Sequence, residues 1–65
     1  MKQLVQDLRE VITKFPQLKG QVNDFYQLCR DEIEEGGSEQ HEIDLCRQSV
    51  KELIEEIGED SSFFG

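Results

Sequence analysis

The chain has 65 residues, a formal net charge of −8, and 15 acidic against 7 basic side chains. That length makes one small domain at most, in which apolar burial and chain entropy nearly cancel. The negative field argues against nucleic acid and anionic membranes as partners, because phosphate contacts need Lys and Arg, and suits a basic protein partner.

Residues 2–14 are predicted to form the first helix. Leu4, Leu8, Val11 and Phe15 step by four, three and four, while Val5 and Ile12 widen the stripe. The other side carries Lys2, Gln6, Asp7, Arg9 and Glu10. A stripe this wide suits either the third helix of a small bundle or a partner-binding or dimerising face built on Leu4, Val5, Leu8 and Ile12. Pro16 removes a backbone donor and biases Phe15 away from helical geometry. The joint is therefore expected within residues 15–20, with helix 1 folded back beside helix 2, a kinked continuous rod with helix 1 projecting away being the alternative.

The second helix is expected over about 17–35 and the third over about 39–57. Their seams are Leu18, Val22, Phe25 and Cys29, and Cys46, Val50, Leu53 and Ile57. Across the Gly36-Gly37-Ser38 turn these residues pair with a constant index sum: Leu18 with Ile57, Val22 with Leu53, Phe25 with Val50, and Cys29 with Cys46. Facing residues in antiparallel helices have that property, so four matched core layers are predicted. Leu28 and Ile33 lie beside the first seam; Leu45 and Ile54 lie off the second, where helix 1 is expected to dock. One glycine of the pair suits the left-handed C-terminal position of helix 2. Ser38 is a good N-cap for helix 3, Glu39 suits its positive end, and Gly58 stops it. The expected fold class is all-α: an antiparallel helical hairpin with the N-terminal helix packed on it as a small three-helix bundle. Residues 1–58 form the helical domain and 59–65 an acidic-aromatic tail.

Several constellations bear on chemistry. Cys29 and Cys46 share a predicted layer, as a buried thiol pair or as a disulfide. A disulfide would add about 3 kcal/mol in the loop-entropy model. No C-x-x-C spacing marks a redox-active pair. The acidic tip holds seven carboxylates between Asp31 and Asp44 and no Lys or Arg: Asp31, Glu32, Glu34, Glu35, Glu39, Glu42 and Asp44. Residues 31–42 loosely follow a calcium loop, with Asp31, Glu35, Glu39 and Glu42 at ligand positions and Gly36 at the turn. Ile33 at a ligand position and Ser38 in place of an apolar residue break that pattern. A solvated tip or a docking surface for a basic partner is the simpler reading. His41 and Cys46 are five apart, on different helix faces, and zinc sites normally pair close ligands. No metal and no cofactor are therefore expected. Phe63 and Phe64 either fold back over the end of the bundle or form a free docking motif.

One His, no Trp, no phosphate loop and no nucleophile–base set leave no catalytic residues, and an enzyme is not expected. Residues 1–7 lack the uninterrupted apolar core of a secretory leader, and no stretch would span a bilayer, so a cytoplasmic protein with reduced thiols is expected. The function that fits is a non-enzymatic protein–protein interaction module, an adaptor, co-chaperone or inhibitor. It would present an apolar helical face or the acidic tip to another protein, or pair as a homodimer. An acidic inhibitor that occupies a basic or nucleic-acid-binding groove, as phage-encoded proteins do, is the alternative.

The layout of a charged helix, a glycine turn and a Gln-containing second helix, carried by Cys29-Arg30-Asp31-Glu32-Ile33, Gly36 and Glu39-Gln40, resembles the small hairpin co-chaperones of type III secretion needle subunits. Helix 3 here is richer in Glu than that pattern. The resemblance implies a helical hairpin that holds a partner protein.

Overall fold

The computed structural model describes residues 1–64. Its elements are helix α1 (Lys2–Lys14), a 3-10 turn (Pro16–Leu18), helix α2 (Lys19–Glu34) and helix α3 (Glu39–Glu56). The all-α three-helix bundle expected from the spacing is the fold observed. The difference at the first joint is local. Pro16 opens a single 3-10 turn, and α2 starts at Lys19 rather than near residue 17. Phe15 carries the break at φ −131° and ψ 73°, off the helical region as a residue before proline must be.

Both later helices end on the same device. After α2, Gly36 takes φ +106°; its N–H donates to the Ile33 carbonyl at 3.1 Å, and the Gly37 N–H to the Glu32 carbonyl at 2.8 Å. After α3, Gly58 takes φ +81°; its N–H donates to Glu55 at 3.0 Å and the Glu59 N–H to Ile54 at 3.2 Å. This is the Schellman arrangement, in which a left-handed glycine lets two N–H groups satisfy carbonyls left open at the helix end. Ser38 caps α3, its hydroxyl oxygen accepting from the His41 N–H at 3.5 Å.

The helices run up, down and up. The amino terminus lies 3.8 Å from Glu39 Oε1, and Arg47 Nη1 donates to Asp7 Oδ2 at 2.6 Å. Thus α1 lies parallel to α3 and antiparallel to α2. The buried core combines Leu4, Leu8 and Val11 of α1 with Leu18, Val22 and Cys29, and with Cys46, Val50, Leu53 and Ile54 of α3. Ile54 docks inward as expected.

Three expectations are corrected. Ile57 is 40% exposed rather than closing the fourth layer. It is the C-cap residue of α3, and the layer farthest from the turn accumulates the drift between a 3.5-residue repeat and a 3.6-residue helix. Phe25 is only half-buried, at the edge of the core. Leu45 faces away from α1 and is 49% exposed. Of the two readings of Phe63 and Phe64, folding back over the bundle is the one observed: Phe64 joins the buried core and Ser61 is buried. Ser61 Oγ donates to Glu55 Oε1 at 3.1 Å and the Phe64 N–H to the Ser61 carbonyl at 2.9 Å. Phe63 packs on Phe15 with ring centroids 6.1 Å apart and lies under Lys14 Nζ at 4.6 Å. Gly65 lies outside the described residues.

Candidate functional site

An open groove of about 390 Å³ runs between α2 and α3 on the side away from α1. Phe25, Leu28, Cys29 and Glu32 line it from α2, and Glu42, Leu45, Cys46 and Ser49 from α3. The helical repeat explains the set. Residues 25, 28, 29 and 32 follow a three–one–three rhythm along one stripe, as do 42, 45, 46 and 49. α1 covers the opposite side of the hairpin and leaves this stripe open. Small side chains at Cys29, Cys46 and Ser49 give the groove its depth, and Leu28 and Leu45 are its rims. They are 58% and 49% exposed, the two most exposed large apolar side chains among the described residues. Glu32 and Glu42 place one carboxylate on each helix at the end next to the turn.

The two thiols belong to this site. Cys29 and Cys46 are both free and buried, and both reach the groove. Burial pushes the Cys46 thiol up to about 11, with Cys29 adding to the rise and Arg47 opposing it. Burial also raises Cys29, and the charges of Glu42 and Glu39 raise it further. Both sulfurs are therefore held as neutral thiols, the unreactive form. The shared layer expected for Cys29 and Cys46 is consistent with the effect of Cys29 on Cys46 and with their common groove.

The partner-binding face expected on α1 and the tail is largely used up inside the molecule. Leu4, Leu8 and Phe64 are buried in the core, and Phe63 is half-buried against Phe15. Val5 and Ile12 keep partial exposure and line a smaller cleft of about 130 Å³ with Leu8, Arg9, Asn23 and Tyr26. The acidic tip is real as a surface: Asp31, Glu34, Glu35 and Glu39 are exposed and Glu42 is half-buried. It is not a loop, since Asp31–Glu34 complete the last turn of α2 and Glu39–Glu42 open α3. Among the described residues no three His, Cys, Asp or Glu side chains converge to hold a metal ion.

One structural pair was not anticipated from spacing. Arg47 reaches from α3 to Asp7 on α1, and its guanidinium carbon lies 5.8 Å from the centroid of the Phe64 ring. The signal available was slight: Arg47 is one of only two basic residues on α3, and Asp7 adjoins the apolar stripe of α1. Among the described residues, no helix is long and apolar enough to cross a membrane. No protein-family model matches the chain, and no curated protein or solved structure matches it significantly.

Proposed function

We propose that the protein is a non-enzymatic protein–protein interaction module that receives a helix of a partner in the groove between α2 and α3. The observation that carries this reading is the pair Leu28 and Leu45, exposed on facing rims of one apolar groove. A single exposed leucine is ordinary, whereas two on facing rims of one concave stripe form a small apolar patch that a partner helix could cover. Burying a fully exposed leucine contributes about 1.5–3 kcal/mol, and these two, already about half covered, would each supply roughly half of that on binding.

The test is site-specific photo-cross-linking in the native host. A photoreactive amino acid at position 45 should yield a discrete adduct that Leu28→Ser removes, and the same group at Glu10, on the exposed side of α1, should not yield it. Equal adducts from both positions, or none from position 45, would overturn the reading. The exposed carboxylates at the turn support a second reading, an acidic inhibitor seated in a basic groove of its target. In that case binding would be salt-sensitive and would survive Leu28→Ser with Leu45→Ser.

A further inference from the structure

We infer that the occupant of the groove is a cationic amphipathic helix from a partner protein, laid along α2 and α3 as a fourth helix of the bundle. This rests on the reading of the groove as an interaction face and adds the chemistry of what fills it. The lining spans eight residues, seven residue-to-residue steps, on each helix, from Phe25 to Glu32 and from Glu42 to Ser49. At 1.5 Å per residue that is about 10 Å, or two turns. The matching partner segment presents apolar side chains at i, i+3 or i+4, and i+7. Its anchors fit between Leu28 and Leu45, above the small floor of Cys29, Cys46 and Ser49.

Charge decides between occupants. Glu32 and Glu42 flank the groove, and no Lys or Arg lies between Asp31 and Asp44 to neutralise them. A stripe bordered by Lys or Arg pairs with both walls. A second copy of this chain would instead bring a further net charge of −8, and like charges brought together oppose association. An anionic helix fails for the same reason.

Three synthetic peptides test this against the isotope-labelled full chain, followed by amide chemical shifts at low and high salt: a Leu/Lys helix with a continuous Leu stripe, a Leu/Glu helix with the same stripe, and a Leu/Lys peptide of scrambled order. Sedimentation of the chain alone accompanies them. The striped Leu/Lys peptide should shift amides around Leu28 and Leu45. It should bind about threefold to tenfold tighter than the Leu/Glu peptide, the effect of two partly solvated ion pairs. Glu32→Gln with Glu42→Gln should erase that preference, and Leu28→Ser with Leu45→Ser should weaken both striped peptides. Equal binding of the Leu/Lys and Leu/Glu peptides would overturn the cationic partner and leave the groove reading intact. A dimer that Leu28→Ser with Leu45→Ser dissociates would do the same, with a second copy as the occupant. Equal binding of the scrambled peptide, or no shift in the groove from any peptide with the chain monomeric, would overturn the groove reading itself.

Discussion

Cys46 shows how a single side chain ties packing to a measurable property. Its thiol is pushed up to about 11, first by burial and then by Cys29, whereas in the unfolded chain it titrates near 9.0. The folded state thus holds its proton over a range where the unfolded state has lost it. The resulting stability is complete below about pH 9 and disappears as the pH rises towards about 11. Melting curves should fall through that window, and Cys29→Ala with Cys46→Ala should flatten that part of the profile relative to the parent chain. Alkylation of the folded protein near neutral pH should be far slower than that of a free thiol; equal rates would mean that the groove floor is open to solvent. That both thiols face one groove between α2 and α3 follows the index symmetry around the glycine turn, which needs only two helices of equal pitch. The exposure of Phe25, Leu28 and Leu45 was not legible in the sequence. A periodic stripe says which residues share a face, but the width of the covered part depends on where α1 settles, and nothing local to α2 or α3 encodes that.

At the scale of the element, glycine and proline carry most of the boundary information. Gly36 and Gly58 occupy left-handed positions that a side chain would strain, so both helix ends were readable from residue type alone. Gly36→Ala should cost about 1–2 kcal/mol, the penalty of a β-carbon in that region. Gly20 is the opposite case: it lies inside α2, exposed, with open space around the position a β-carbon would take. Gly20→Ala should stabilise by about 0.5–1 kcal/mol. Urea denaturation of the two variants should move in opposite directions, and a loss for Gly20→Ala would place that residue outside the helix. The acid-rich surfaces also find local partners without cations. Gln3, Gln27, Gln40 and Gln48 each donate to a carboxylate four residues ahead, at 3.0, 3.2, 2.9 and 3.1 Å. Such pairs contribute about 0.2–0.5 kcal/mol each to a helix, which offsets part of the repulsion that a strongly acidic chain accumulates. The 3-10 turn at Pro16–Leu18 was not legible, because proline marks where a helix is interrupted and says little about the hydrogen-bond register on its far side.

The whole molecule measures 34 × 20 × 19 Å with a radius of gyration of 11.3 Å, close to the roughly 11 Å of a compact chain this long. Such a small domain has only about 3–10 kcal/mol of stability to lose, so one residue that joins distant segments has a large effect. Phe64 is that residue. It arrives 46 positions after Leu18 in the chain yet is buried with it in one core, beneath the guanidinium that also holds Asp7. The segment's aromatic pair was visible in the sequence, but its docking depends on Arg47 and α1 together, a three-way contact that no helical period records. Phe64→Ala removes a ring that is nearly all buried, which costs about 3 kcal/mol or more. That variant should therefore lose about a third or more of the molecule's stability, with a denaturation midpoint far below the parent's. The ion pair above the ring keeps about a quarter of each side chain exposed, so a double-mutant cycle of Asp7→Asn and Arg47→Gln should return a coupling of about 1 kcal/mol, shrinking as salt is added. If the ring is part of the core, its removal should outweigh the cycle several-fold and should not respond to salt. A midpoint unchanged by Phe64→Ala, beside an intact Asp7–Arg47 coupling, would mean that α1 and α3 are held by the aliphatic core and the ion pair, and that residues beyond Gly58 contribute nothing to the bundle.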